Sequence, residues 1–271
     1  VARRRTPLPR TTVRTMNAGL HRARTPRATV LLILLALVTA CSPTPASKLT
    51  YEVLARHPHD ARAFTQGLLW HDGMLYESTG LYGASSVRRV DLESGSVDEI
   101  RYLDADVFGE GLARIGTDLV QLTWRAGEAY RWPITGFATT PAPSATYRYT
   151  GEGWGLCFDG TRLIMSDGSD TLTFRDPVTF DVTDRVSVTM DGAPLVRLNE
   201  LECVDGRVWS NVWFEDRIVR IDPDTGRVDA WLDLRNLLPD DVRNELHPDA
   251  VLNGIAWRPE SNTMLVTGKL W

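Results

Sequence analysis

The segment Val107-Phe108-Gly109-Glu110-Gly111-Leu112 carries one acidic side chain between two glycines. Glycine has no Cβ, so another molecule can approach a carboxylate in this setting closely. If such a carboxylate is buried, desolvation raises its pKa and makes it suitable for proton transfer near neutral pH. On the hexapeptide alone, a turn or bulge at the start of a strand, with Glu110 in water, is the more common arrangement. The rest of the chain has to decide between these interpretations.

Similar segments recur along the chain, each beginning a short run rich in Val, Ile, Leu, Trp and Tyr and followed by a turn. The equivalent positions are Gly67, Gly111, Gly155, Leu201 and Gly254, at steps of 44, 44, 46 and 53 residues. A second series of turn positions, Asp91, Trp132, Asp176 and Asp222, has steps of 41, 44 and 46 residues. All-strand repeats of about 40–50 residues are typical of β-propeller blades. The sequence therefore predicts an all-β fold, a five-bladed β-propeller.

The predicted propeller covers residues 50–271. Residues 50–58 are expected to form the outermost strand of the blade that begins at Leu252. This N-terminal strand would join the last blade, close the ring and hide strand edges that would otherwise aggregate. The long last step places an insertion at Leu234–Asp249, where the sequence favours a short helix. After Lys269-Leu270-Trp271 the fifth repeat shows no third strand.

The first strand of each propeller blade lines the central channel, so residues that are distant in sequence are expected to meet there. The candidates on or near first strands are Phe64, Gln66, Phe108, Glu110, Trp154, Asn199, Asn253 and Lys269. Trp124 and Trp213 occupy similar places at the ends of second strands. Together these side chains form a mostly aromatic pocket with a few polar groups, which is the usual composition of a small-ligand site. Trp70, Trp209 and Trp257 are interpreted as packing between blades.

Several other chemistries find no support in the residue pattern. The five histidines have no metal-ligand spacing, no glycine-rich phosphate loop joins a strand to a helix, and no histidine lies at the depth of Ser166 for a serine triad. Residues 1–40 contain eight arginines and no acid, which leaves 22 basic and 35 acidic residues, a formal charge of −13, over residues 41–271. Because phosphate backbones bind clustered basic residues, this charge excludes nucleic acid as a partner.

Residues 1–41 form a predicted targeting segment, in which basic residues precede the apolar run 30–38. The run is shorter than the roughly 20 residues of a membrane-spanning helix. Val38-Thr39-Ala40-Cys41 resembles a bacterial lipobox, so the sequence predicts lipidation of Cys41, with an ordinary secretory signal as the alternative. Residues 42–49 are expected to be a flexible linker. Both interpretations place the protein outside the cytoplasm, as a cell-envelope lipoprotein or a periplasmic or secreted protein that meets the membrane only through a lipid anchor.

Cys157 and Cys203 remain in the body of the chain. An oxidising compartment would allow them to pair, but sequence does not tell whether their Cα atoms lie within bridging distance. Two buried thiols on strands are the expectation.

At these residues the sequence resembles the glutaminyl-peptide cyclotransferases of the plant and bacterial type, which are five-bladed propellers. The resemblance covers residues 51–271 and consists of seven segments in order. They are Phe64-Thr-Gln-Gly, Glu77-Ser-Thr-Gly-Leu-Tyr-Gly-Ala-Ser-Ser-Val-Arg, Phe108-Gly-Glu-Gly-Leu, Gly153-Trp-Gly-Leu, Arg197-Leu-Asn-Glu-Leu-Glu, Leu252-Asn-Gly-Ile-Ala-Trp and Val266-Thr-Gly-Lys-Leu-Trp. The chain departs from the family at Cys203, where an aromatic residue is more common. That position is expected to lie beside the site.

The resemblance implies an acyltransferase that converts the N-terminal glutamine of peptides or proteins to pyroglutamate and releases ammonia. It assigns the proton shuttle to Glu110 and substrate contacts to Phe64, Gln66, Phe108, Trp124, Trp154, Asn199, Trp213 and Lys269. Gln66, Asn199 and the indole N–H groups of Trp124 and Trp154 are the expected donors to a tetrahedral oxyanion. No cofactor and no metal are expected, and a monomer is expected.

Two other functions remain open from the sequence. One is a metal-dependent, lactonase-like hydrolase in which Glu110, Asn199 and Asn253 bind a divalent ion on the axis. The other is a non-catalytic envelope scaffold that binds protein through its rim. Fold alone does not distinguish them, because propellers support many functions.

Overall fold

The computed structural model describes residues 44–271, which contain strands β1–β21 and one short helix, α1. The predicted targeting segment and the lipidation site at Cys41 lie outside the described residues. Within residues 44–271, no helix is long and apolar enough to cross a membrane.

Four sets of four consecutive antiparallel strands follow one another along the chain, each set within one sheet. The first contains β2 (Thr65–His71), β3 (Met74–Thr79), β4 (Ser86–Val90) and β5 (Val97–Tyr102). The second contains β6 (Gly109–Ile115), β7 (Asp118–Thr123), β8 (Glu128–Pro133) and β9 (Ala145–Arg148). The third contains β10 (Leu156–Phe158), β11 (Leu163–Met165), β12 (Thr171–Arg175) and β13 (Val182–Ser187). The fourth contains β16 (Leu198–Val204), β17 (Arg207–Val212), β18 (Arg217–Ile221) and β19 (Val228–Asp233).

Smaller elements complete the fold. A hairpin of β14 (Thr189–Met190) and β15 (Ala193–Pro194) lies between the third and fourth sheets in the sequence. Helix α1 (Asp240–Glu245) lies in the predicted insertion at 234–249, which confirms the helix there. The last hairpin consists of β20 (Leu252–Arg258) and β21 (Thr263–Gly268). The all-β, propeller-like fold predicted from the repeats is confirmed.

The turns follow directly from the residues at them. Asp72-Gly73 and Asp205-Gly206 join first to second strands, and all four residues have positive φ between 48° and 78°. Two successive positive φ values define the two-residue hairpin turn that suits the twist of paired strands, and Asp-Gly is a preferred pair for it. The carboxylate of Asp222 accepts the backbone N–H groups of the two residues that follow Pro223, as Asx turns do.

Glycine permits the first strands of neighbouring sheets to touch. A Cβ on Gly67 would lie 2.5 Å from the backbone N of Leu112, and one on Gly111 would lie 2.5 Å from the backbone N of Leu156. A Cβ on Gly155 would overlap the backbone O of Asn199. The interpretation that Gly111 clears space for an approaching molecule is therefore wrong. Its missing side chain makes room for the next sheet.

Buried side chains connect the remaining first strands. The carboxylate of Glu200 on β16 accepts the backbone N–H of Ile255 on β20 at 2.9 Å and that of Leu68 on β2 at 3.1 Å. Asn253 on β20 donates through Nδ2 to the backbone O of Thr65 on β2 at 2.9 Å. The contacts therefore run from β2 through β6, β10, β16 and β20 and return to β2.

The apolar core is distributed over the interfaces between adjacent sheets. Leu119, Phe137 and Val87 pack between the first and second sheets, and the cluster around Leu68 and Ala256 packs between the last hairpin and the first sheet. Three further clusters fill the other interfaces. Complete burial of a leucine stabilises a fold by about 1.5–3 kcal/mol, so these layers supply much of the force that holds the sheets together.

The predicted N-terminal strand is wrong in position and in partner. Residues 50–58 form no strand, and β1 (Ser47–Leu49), inside the predicted linker, pairs in parallel with β19 of the fourth sheet. Among the described residues the last hairpin has only β20 and β21, so an outermost strand would find no third strand to pair with. The apolar residues of the predicted strand are largely exposed, Leu54 at 70 %, so no buried face holds it in a sheet.

The expectation of two free thiols is also wrong. Cys157 on β10 and Cys203 on β16 form a disulfide, with their Cα atoms 5.5 Å apart. The sequence separation is 46 residues, so only the approach of the third and fourth sheets brings the two sulfurs together.

Candidate active site

Glu110 lies on β6 and is only 4 % exposed. Its Oε1 accepts a hydrogen bond from Nε2 of Gln66 on β2 at 2.9 Å. No hydrogen bond from the described residues reaches its Oε2. Burial raises the pKa of Glu110 well above that of an ordinary carboxyl; Lys269 opposes this shift and Glu152 adds to it.

A chain of side-chain amides fixes the orientation of Gln66. Its Oε1 accepts from Nδ2 of Asn253 at 3.2 Å while its Nε2 donates to Glu110. Asn253 and Asn199 are both buried, and the Oδ1 atom of each has no hydrogen-bond partner among the described residues. Because an unsatisfied buried acceptor is costly, these two atoms are suited to receive N–H groups of a bound molecule.

Lys269 follows β21 and is 4 % exposed. Its Nζ lies 4.9 Å from the centre of the Phe64 ring, over its face, at cation–π distance. Burial lowers the pKa of Lys269 to about 8, although Glu110 acts in the opposite direction. The nitrogen forms no ion pair with Glu110 within 4 Å in the described residues, so the two groups act on each other through space.

Three aromatic side chains from the first and second sheets form one wall. The rings of Phe64 and Phe108 meet edge to face with their centres 6.0 Å apart, and the rings of Phe108 and Trp124 do so at 5.5 Å. Gly80 packs against Phe108 so closely that a Cβ there would overlap the ring. All three aromatic residues are half-buried, so part of each remains accessible.

A second aromatic group comes from the third and fourth sheets. The rings of Trp154 and Trp213 are 5.2 Å apart, also edge to face. Gly168 has a φ of 82° and packs on Trp154, where a Cβ would lie 2.6 Å from the indole. The structure thus brings Phe64, Phe108 and Trp124 together, and separately Trp154 and Trp213.

Glu152 joins the two aromatic groups and was missed in the sequence. Its Oε2 accepts the indole N–H of Trp124 at 2.7 Å and that of Trp154 at 3.0 Å, while Oε1 accepts Nε–H of Arg125 at 2.9 Å. The expectation that these indole N–H groups are free to donate to an oxyanion is therefore wrong for this structure. The sequence contained a signal for Glu152, because Gly151-Glu152-Gly153 repeats the pattern of Gly109-Glu110-Gly111.

A second missed cluster anchors the segment that carries Lys269. Glu77 is 1 % exposed and binds the Arg88 guanidinium at 2.6 Å, the Thr65 hydroxyl at 2.5 Å and Nε2 of His59 at 3.1 Å. Nδ1 of His59 lies 2.9 Å from the backbone O of Trp271, two residues beyond Lys269. Although burial opposes ionisation, these partners hold the pKa of Glu77 below its ordinary value. The cluster is structural, because its carboxylate is fully paired.

The tryptophans that the sequence assigned to packing, and Cys203, lie away from Glu110. Trp209 packs between the fourth sheet and the last hairpin, as expected. Trp257 packs against the same cluster, and Trp70 packs against the cluster between the last hairpin and the first sheet while its N–H donates to Glu260. Cys203, expected beside the site, follows Asn199 by four residues on an extended strand, a distance of about 13 Å. It lines a cavity of about 400 Å³ with Trp70, Glu202 and Trp257. Among residues 44–271, no three His, Cys, Asp or Glu side chains are grouped so that they could hold a metal ion.

The arrangement offers acid–base chemistry on a small polar ligand. A buried carboxyl with a raised pKa can accept and return a proton, and the adjacent amides and ammonium can bind the polar atoms of a bound group. Glu110 and Lys269 are each only 4 % exposed, and electrostatic interactions are stronger where water is scarce.

Comparisons with known proteins identify the family to which this chain is similar. The sequence model of the family described as glutamine cyclotransferase matches residues 28–271. A glutaminyl-peptide cyclotransferase of Arabidopsis thaliana is 42% identical over 221 residues, which cover 81% of this chain and 68% of that protein. The crystal structure of Myxococcus xanthus glutaminyl cyclase superposes with a TM-score of 0.76 at 38% identity, over 83% of this chain and 94% of that one.

Proposed function

The chain belongs to the glutamine cyclotransferase family, and we propose that it cyclises the N-terminal glutamine of peptides or proteins with Glu110 moving the protons of the reaction. It is a glutaminyl-peptide cyclotransferase, an acyltransferase. The observation that supports the role of Glu110 is its geometry, since it is a buried carboxyl with one oxygen held by Gln66 and the other without a hydrogen-bond partner among the described residues.

The α-amine of the substrate attacks the γ-carbonyl carbon of the same glutamine, so the protein has to hold the side chain in a folded-back rotamer. Glu110 in its ionised form accepts a proton from the attacking amine as the C–N bond forms. It then donates that proton to the side-chain amide nitrogen. The bond between this nitrogen and the carbonyl carbon breaks, and ammonia leaves. One carboxyl completes both transfers and returns to its starting state.

The tetrahedral intermediate carries negative charge on the former γ-oxygen, which needs a donor. One of the two Nε2–H groups of Gln66 donates to Glu110, and both indole N–H groups donate to Glu152. The Lys269 ammonium and Nδ2 of Asn199 are two buried donor groups that make no hydrogen bond with the described residues. We assign oxyanion stabilisation to this pair, and the wall of the pocket to Phe64, Phe108, Trp124, Trp154 and Trp213.

The test is release of ammonia from a peptide with N-terminal glutamine. Equimolar ammonia and loss of the free amine are expected, with no reaction from the same peptide acetylated at its α-amine. Failure to release ammonia under conditions where the protein is folded would contradict the proposal and favour the binding scaffold. Loss of activity on treatment with EDTA would favour the metal-dependent hydrolase.

We also propose that the sheets form a five-bladed ring with the last hairpin as the fifth blade. The contacts from β2 through β6, β10, β16 and β20 back to β2 support it, as do the apolar clusters at five successive interfaces. Closure would then come from first-strand contacts, together with the hydrogen bond from the backbone N of Leu270 to the backbone O of Ala63 at 2.7 Å.

For location, we propose an extracytoplasmic enzyme, held to a membrane by lipid on Cys41 or released after cleavage of the signal segment. The Cys157–Cys203 disulfide supports an oxidising compartment, where such bonds persist. We further propose that the enzyme acts as a monomer on exposed N-termini. Mass spectrometry of the mature protein for an N-terminal lipid distinguishes the anchored form from the secreted form.

A further inference from the structure

We propose that Glu152 is a positioning residue that clamps the indoles of Trp124 and Trp154 and thereby holds Glu110 in line with the reacting groups. The inference rests on the proposed function and adds a residue that neither touches the substrate nor transfers a proton.

The clamp consists of three hydrogen bonds to one carboxylate. Both indole N–H groups converge on Oε2, at 2.7 Å from Trp124 and 3.0 Å from Trp154, so their separation is limited by the reach of one oxygen atom. Nε of Arg125 donates to Oε1 of Glu152 at 2.9 Å, and the guanidinium stacks on the Trp124 ring at 3.8 Å. Arg125 thereby fixes the position of the carboxylate relative to that indole. Half-buried indoles without such a bond could rotate away from the site.

The clamped residues are tied to both sides of Glu110. The backbone N of Trp124 donates to the backbone O of Phe108 at 2.9 Å, and the backbone N of Gly111 donates to the backbone O of Trp154 at 2.7 Å. The backbone N of Gly153 donates to the backbone O of Trp124 at 3.0 Å and so connects the two segments that carry the tryptophans. A displacement of either tryptophan is therefore transmitted to the short segment that carries the catalytic carboxyl.

Glu152 also contributes charge. Burial opposes its ionisation, but the hydrogen bonds from Trp154, Trp124 and Arg125 hold its pKa below the ordinary value, so it is an anion at neutral pH. The negative charge of Glu152 raises the pKa of Glu110 further. The other charged groups around Glu152 line an adjoining cavity of about 300 Å³, and they are Arg148, Asp167, Arg175, Asp181 and Arg185. The charges that act on the pKa of Glu110 are those of Lys269 and Glu152, so the effect of Glu152 can be measured separately from this cavity.

Two substitutions separate the clamp from the charge. E152Q keeps an oxygen that can accept both indole N–H groups but removes the charge, whereas E152A removes both. We expect E152A to lower kcat/KM by about 10- to 100-fold, the effect of a misplacement of about 1 Å at a reacting centre. We expect E152Q to retain most of the activity while the acidic limb of the pH–rate profile moves to lower pH, because Glu110 loses a neighbouring anion.

The matched control is E128A, which removes a half-buried carboxylate on the second sheet that binds Arg148 and Tyr130 and forms no hydrogen bond with an indole. It should leave kcat/KM and the pH profile unchanged. The tryptophan bands of the near-UV circular dichroism spectrum should change in E152A, whereas E128A, which removes a hydrogen bond to Tyr130, should affect mainly the tyrosine bands.

The proposal is overturned if folded E152A has wild-type kcat/KM and near-UV signal. If E152A does not fold, E152D decides, because it keeps the charge but shortens the side chain and draws the carboxylate away from both indoles; folded E152D with wild-type kcat/KM and near-UV signal overturns the proposal. Absence of ammonia release by the wild type would instead refute the proposed function, and the near-UV comparison would then decide on the clamp alone.

Discussion

Nε2 of Gln66 donates to Oε1 of Glu110 at 2.9 Å, and a third residue determines which end of the Gln66 amide faces the carboxyl. Oε1 of Gln66 already accepts from Nδ2 of Asn253, so a flipped amide would lose both contacts. A donor that always faces the carboxyl favours its ionised form and partly offsets the cost of burial. In the proposed mechanism, Gln66 therefore keeps Glu110 available as a base.

Replacement of Glu110 by glutamine should abolish turnover while the fold is retained. The introduced amide is nearly isosteric and can still accept from Gln66, but it cannot take a proton from the α-amine. Loss of general acid–base catalysis costs about 10²–10⁴-fold in rate. Ammonia release from a glutaminyl peptide measures the effect, with circular dichroism as the check on folding. Turnover within tenfold of wild type would remove Glu110 from the mechanism.

The same substitution should change how stability depends on pH. The pKa of Glu110 is raised in the folded protein, so between the unfolded value near 4.3 and the folded value the folded state binds more protons. The contribution of Glu110 to stability is therefore complete below pH 4 and is lost as pH rises through the folded pKa. Compared with E110Q, wild type should lose about 1.4 kcal/mol of unfolding free energy for each pH unit between the unfolded and the folded pKa.

Urea denaturation of both proteins between pH 5 and pH 8 measures this difference. Glu200 and Glu202 also have raised pKa values and remain in both proteins, so their effects cancel in the comparison. Parallel stability curves for wild type and E110Q would show that the folded pKa of Glu110 is ordinary.

Lys269→Met should move the acidic limb of the pH–rate profile to higher pH. The ammonium lowers the pKa of Glu110, so its removal leaves burial less opposed and raises that pKa further. This direction is opposite to the one expected for E152Q. Lys48→Met is the matched control, because Lys48 is exposed and pairs with Asp233 away from the site. If the acidic limb of the K269M profile lies at the same pH as that of wild type, the charge of Lys269 does not affect the pKa of Glu110.

The sequence repeats predicted the succession of strands because they carry strong local signals. Asp-Gly pairs determine the hairpin turns, and the spacing of Gly67, Gly111 and Gly155 reflects the close approach of neighbouring first strands. Those first strands carry Gln66, Glu110 and Asn253, so residue spacing alone was sufficient to group them.

The features that the sequence missed depend on side-chain direction or on long-range pairing. Three residues, Ser47–Leu49, are too few to show a strand pattern, and their parallel pairing with β19 depends on the arrangement of the whole fold. The capture of two indole N–H groups by Glu152 depends on rotamers that spacing does not define. The approach of Cys157 to Cys203 is likewise a consequence of sheet packing.

Removal of the disulfide should lower stability without loss of catalysis. In the chain-entropy description, a bridge that closes a loop of 46 residues stabilises the folded state by about 4 kcal/mol. For a domain of this size that corresponds to a fall in Tm of roughly 10 °C in C157S/C203S. Activity at 25 °C should persist, because Cys203 lies about 13 Å along β16 from Asn199. Dithiothreitol should lower the Tm of wild type to the value of the variant and leave the variant unchanged. Equal Tm values for oxidised wild type and C157S/C203S would show that the bridge does not stabilise the packing of the third sheet on the fourth.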